Sequence, residues 1–136
     1  MLKFVVLLTL LSCLASCDKQ TDALQLVDCQ DLIRGCDIGT GKLFFNQLPK
    51  PLAPFIVTLK TSTTDITMGS VTAQFNMQDM QMGFNNYHFI SVKSGVWQAN
   101  VTLPVCMQGR GDWLMILEVN IGGKTKRLGI PFKAVT

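Results

Sequence analysis

From residue 41 onward, apolar and polar side chains alternate along the chain. Phe55, Val57 and Leu59 are interleaved with Thr58 and Lys60, and Val71, Ala73, Phe75 and Met77 with Thr72, Gln74 and Asn76. The same spacing recurs in Trp97, Ala99, Val101 and Leu103, in Trp113, Met115, Leu117, Val119 and Ile121, and in Leu128, Ile130 and Phe132. A period of two belongs to strands with one buried face. Lys42 to Asn46 adds a short strand, and Tyr87 to Lys93 is expected to pair with the Trp97 strand across Ser94-Gly95. Gly122-Gly123 marks a second hairpin turn. The proline-rich stretch 47–54 suits a turn that protects a sheet edge. Helical periodicity is missing apart from a short turn around Asp31 to Arg34. About seven short strands separated by turn signals predict an all-β fold, an immunoglobulin-like β-sandwich.

Composition narrows the class. The 136 residues suffice for one domain, and a chain 48% hydrophobic and 15% charged has the apolar content of a folded protein. The net charge of +3 is dispersed, with no basic block of the kind nucleic-acid binding requires. Residues 1–16 stand apart: Met1-Leu-Lys3 is a basic start, followed by an apolar run from Phe4 to Ser16. That run is short for a bilayer-spanning helix and suits a secretory signal. The chain thus divides into a signal segment (1–16), a polar cysteine-containing segment (17–40) that begins with a tether, Asp18 to Ala23, and the sandwich domain (41–136).

Leu14-Ala15-Ser16-Cys17 resembles the bacterial lipoprotein lipobox at all four positions. The resemblance implies that Cys17 becomes the first mature residue and carries lipid on its sulfur and amino group, a stable anchor when two or more chains are attached. Asp18 resembles the retention signal of enteric bacteria, which implies the periplasmic face of the inner membrane. Leu10-Leu11-Ser12-Cys13 is a poorer match, and Cys13 reads as part of the apolar run.

The stretch Phe75 to His88 departs from the pattern around it. Met77, Met80 and Met82 fall within six residues, and His88 is the only histidine of the chain. Thioether sulfur is a soft donor that selects Cu(I), and methionine is equally a flexible core filler. Met77 shares strand parity with Phe75, as a core residue would. Met80 and Met82 have the opposite parity, so an unbroken strand would turn them outward. A bend after Met77 would instead bring the three sulfurs together at the end of the sandwich. His88 is either a hydrogen-bonded strand residue or a further ligand, and Cys106 with Met107 adds two more soft donors.

Phe75-x-Met-x-x-Met-x-Met-Gly, Gly95-Val-Trp-Gln-Ala-Asn-Val-Thr-Leu-Pro and Asp112-Trp together resemble the YtkA-like and FixH-like small bacterial β-sandwich domains, over roughly residues 50–121. The resemblance implies an immunoglobulin-like fold and an association with copper handling or respiratory oxidase maturation. The chain departs from that group in carrying Cys106 and a lipid anchor in place of a membrane helix.

Three cysteines remain in the mature domain, Cys29, Cys36 and Cys106, and an oxidising compartment favours one disulfide among them. Three pairings are open; Cys29 with Cys36 closes the smallest loop, while Cys36 with Cys106 would pin the N-terminal segment to the sandwich. Arg110-Gly111-Asp112 matches a cell-adhesion tripeptide but reads as a turn between strands, with glycine supplying unusual backbone angles. Nucleophile, phosphate-loop, zinc and Cys-x-x-Cys signatures are all missing, so no enzyme is expected. Two functions follow as expectations. One is a lipid-anchored periplasmic domain holding Cu(I) through Met77, Met80 and Met82, with His88, Cys106 and Met107 as further ligands. The other is a metal-free module that binds an envelope protein through its sheet edge or its Met-Phe84 patch.

Overall fold

The computed structural model describes residues 22–62 and 68–136. The signal segment, Cys17, Asp18 and the rest of the tether to residue 21 lie outside the described residues. Ten strands form two five-stranded sheets. They are β1 (Gln25–Leu26), β2 (Cys36–Asp37), β3 (Gly41–Phe45), β4 (Phe55–Thr61), β5 (Met68–Met77), β6 (Asn86–His88), β7 (Ile90–Lys93), β8 (Val96–Val101), β9 (Asp112–Ile121) and β10 (Lys124–Lys133). One sheet has the order β1-β10-β9-β5-β6 and the other β2-β3-β4-β8-β7. The all-β sandwich is as the alternation predicts, with ten strands instead of seven.

Three differences in the count have physical reasons. β1 and β2 are two residues each, too short for any period to show. Tyr87 to Lys93, expected as one strand, is two. β6 pairs with β5 in the first sheet, and β7 pairs with β8 in the second. Phe89 is buried at the crossing and its amide donates to the Val71 carbonyl at 2.9 Å. The Tyr87 hydroxyl donates to the Thr102 carbonyl at 2.7 Å and accepts from the Thr102 amide at 3.1 Å, which ties the crossing to the second sheet. Strands that switch sheets at a corner are a normal way to close a sandwich.

The inward faces of both sheets carry the expected residues. Phe55, Val57, Leu59, Val71, Phe75, Val101, Trp113, Met115, Leu117, Val119, Leu128 and Ile130 are all fully buried. Phe45, Phe55, Phe75, Tyr87 and Phe132 form a connected aromatic cluster, with centroid distances of 5.2 to 6.3 Å. Most of its pairs are close to edge-on, the geometry the ring quadrupoles favour.

Chain direction gives the molecule two distinct ends. At one, Asp22 donates to the Thr125 carbonyl at 3.2 Å, beside the Gly122-Gly123 turn, and β1 then runs parallel to β10. At the other lie the turn 46–54, the loop 78–85 and the loop 102–111. Cys29 and Cys36 are disulfide-bonded, with Cα atoms 5.4 Å apart, the pairing of the smallest loop. Between them Asp31 accepts from the amides of Ile33 at 2.9 Å and Arg34 at 3.0 Å, forming the expected short turn.

Candidate functional site

The loop 78–85 begins with a reversal. The amide of Met80 donates to the Met77 carbonyl at 3.3 Å, and these two residues form an isolated antiparallel bridge. Of the two alternatives that the broken parity left open, the bend after Met77 is the one present. It is held by two buried asparagines that the sequence reading passed over. Asn76 accepts from the Met82 amide at 3.4 Å, and Asn85 donates its side-chain amide to the Phe75 carbonyl at 3.4 Å. The Asn85 carbonyl also accepts from the Phe75 amide at 3.0 Å. Buried amide side chains persist only where such bonds exist. The signal in the sequence was an asparagine at each root of the methionine loop.

The three methionines are not equivalent. Met77 is 2% exposed and packs in the core, Met82 is half-buried against it, and Met80 is 41% exposed. Of the two methionines whose parity turns them outward, Met80 is exposed and Met82 half-buried, while Met77 keeps its core parity to the end of β5. His88 is separated from them. It lies exposed opposite Thr72, on the outer face of the first sheet, beside a shallow recess of about 210 Å³ that Glu118 also lines. Thr72 and Met77 are five residues apart on β5 and on opposite faces, about 17 Å along the strand. Cys106 is buried, while its neighbour Met107 is 97% exposed. The two do not present their sulfurs to one side. Among the described residues no three His, Cys, Asp or Glu side chains gather into a metal-holding group.

The neighbouring loop is joined to the methionine loop by charge. Arg110 hydrogen-bonds Asp112 through both guanidinium branches, with Nε to Oδ1 at 2.9 Å, and reaches Asp79 at 3.6 Å. The adhesion-like tripeptide is thus folded on itself. Gly111 is required for a reason other than the expected one. Its backbone is not left-handed, but an added Cβ would fall 2.7 Å from the Ala134 carbonyl oxygen. The Arg110 hydrogen bond holds the Asp112 carboxyl below its ordinary range. Asp112 in its charged form therefore supports the loop at neutral pH, and this support is lost as pH falls through the lowered folded value. The Arg110 Nε–H resonance should survive acidification past about 3.9, the ordinary aspartate pKa, and vanish only below it. Asp112→Asn should abolish this titration; a wild-type midpoint at or above the ordinary value would refute the pairing.

Exposed apolar side chains collect at this end. Phe84 and Met107 are fully exposed, and Leu48, Leu52, Met80 and Val105 are largely so. Leu52 also holds a left-handed backbone with φ of 63°, its amide donating to the Leu103 carbonyl at 2.9 Å. A leucine rarely adopts that conformation, and strain of this type concentrates at working surfaces. Beside them a cleft of about 790 Å³ opens between the disulfide loop, the turn after β3 and the end of β10, lined by Leu32, Phe45, Leu48 and Phe132 with Gln78 and Asp112.

No protein-family model matches the chain, and neither a curated protein nor a solved structure matches it.

Proposed function

We propose that this chain is a membrane-tethered docking module of the cell envelope that holds a protein through the loop end of its sandwich. The observation that carries the reading is the full exposure of Phe84 and Met107 on two loops that Arg110 links through Asp79 and Asp112. An aromatic ring left in water on a held loop is the usual anchor of a protein contact, since its burial contributes much at small entropic cost. Leu48, Leu52 and Val105 extend the apolar surface around it. The test is site-specific photo-crosslinking in cells. A photoreactive residue at 84 or 107 should yield one or a few discrete adducts with envelope proteins, and one at Gln98, on the second sheet's outer face, should not. Identical backgrounds at all three positions would end the reading.

A second reading, that the same end holds Cu(I), is favoured by the Met77–Met80 bridge. Residues directly opposite in an antiparallel pair bring their Cβ atoms about 5 Å apart on one side. Met80 and half-buried Met82 would be the accessible donors, Met77 a donor from beneath, and Met107 and Cys106 would enter only through movement of their loop. Copper competition on the reduced chain decides it. Uptake lost in a Met80→Leu, Met82→Leu double variant supports the site, while equal and negligible uptake by both chains removes it.

A further inference from the structure

Charge is unevenly divided between the two ends of the molecule. At the loop end Arg34, Lys50, Arg110 and Lys133 stand among Asp28, Asp31, Asp79 and Asp112, a balanced set. The end where the chain enters is different. Lys42 and Lys60 lie directly opposite each other on β3 and β4, and Lys60 pairs with Val96, which pairs in turn with Lys93. Lys124 opens β10, and Lys126 reaches the Gly39 turn, where a Cβ would lie 3.3 Å from its ammonium nitrogen. None of these five lysines forms an ion pair among the described residues. The described carboxylates at this end are Asp22 and Asp37; Asp37 faces Lys42 in register but accepts from the Gly39 amide at 2.8 Å. Asp65 lies outside the described residues, and Asp18 and Lys19 cancel in the preceding sequence.

Like charges directly opposite on a sheet repel. Here Lys42 and Lys60 share the Phe44 ring, their ammonium groups 5.9 and 4.9 Å from its centroid. A sheet that keeps two cations over one aromatic ring with no carboxylate paired to either presents an anion-accepting face. Chain length says which anion. Cys17 precedes Asp22 by five residues, at most about 17 Å of extended chain. A lipid on Cys17 therefore brings this end within about two Debye lengths of the bilayer at physiological salt.

We propose that the Lys42, Lys60, Lys93, Lys124 and Lys126 face is a seat for anionic lipid headgroups, which stands the sandwich upright with its loop end away from the membrane. This rests on the lipid-anchored reading above. The full chain, purified from bacterial membranes, is reconstituted into vesicles of phosphatidylcholine alone or with phosphatidylglycerol. Each lysine is then labelled with a water-soluble amine-reactive ester and quantified by mass spectrometry. Lys42, Lys60, Lys93, Lys124 and Lys126 should label several-fold more slowly on the anionic vesicles, and the protection should disappear near 1 M salt, where the Debye length is about 3 Å. Lys50 and Lys133 should be unaffected. Gln substitution of the exposed Lys42, Lys60, Lys93 and Lys124 should weaken the lipid dependence in flotation by roughly fivefold in partition for each residue, with the half-buried Lys126 left in place to keep the fold. Equal labelling on both vesicles, or protection of Lys50 and Lys133 instead, overturns the proposal. Failure of the chain to float with phosphatidylcholine alone counts against the anchor and not the seat. In that case flotation with the anionic vesicles supports the seat, and its absence refutes it.

Discussion

Phe75→Ala is expected to lower stability by about 4 kcal/mol, with no change in the denaturant slope. Phe75 is wholly buried at the centre of the aromatic cluster, touching Phe55 of the opposite sheet, Phe132 on β10 and Tyr87 on β6. Its removal takes away the transfer energy of a phenyl ring and opens a cavity that two sheets closed by cross-strand bonds cannot collapse into. Three near-perpendicular ring contacts are lost in the same step. Urea unfolding of the oxidised chain measures it. Phe84→Ala is the control: a ring fully in solvent should change stability by under about 0.5 kcal/mol. Phe84→Ala should nonetheless weaken the docking contact. Stability and function then respond to phenylalanines nine positions apart, one at each root or tip of the same loop.

That contrast marks how far the sequence could be read. The period of two identified the inward faces of β4, β5, β8, β9 and β10, because each is long enough to repeat the pattern and has water on one side only. Periodicity carries no information on which sheet a strand joins, so the crossing at Phe89 was invisible. Its cause is a buried ring and the Tyr87 hydroxyl bond, both tertiary. The broken parity between Met77 and Met80 left open either a bend or a straight strand with outward methionines, and the structure has the bend. The fate of each sulfur depended on hydrogen bonds from Asn76 and Asn85, which have no periodic signature. The balance of charge at the loop end and its excess at the other were equally hidden, since the lysines are far apart in sequence and meet only through strand register.

The second large effect concerns Gly41, at the lysine-rich end, where β3 enters the second sheet beside Thr61. Its φ is not left-handed, so backbone freedom is not its purpose. A Cβ there would fall onto the Lys60 carbonyl oxygen and lie 2.9 Å from the Thr61 Cα. Both are backbone atoms, which cannot swing aside as a side chain would. The only relief is to part β3 from β4, and β3 also carries β2 with Cys36 through the Leu43 pairing. Gly41→Ala should therefore cost about 3 kcal/mol, at the upper end for overpacking. Gly83 offers the comparison. It is left-handed at φ 70° with nothing within 4 Å, so Gly83→Ala meets backbone strain alone, about 1 kcal/mol. The larger loss at the glycine with ordinary dihedrals is the distinguishing result, and near-equality of the two would show that β3 and β4 have room to separate. Gly41→Ala should also loosen the Lys42–Lys60 pairing over Phe44, so lysine protection on anionic vesicles should fall with it and stay intact in Gly83→Ala.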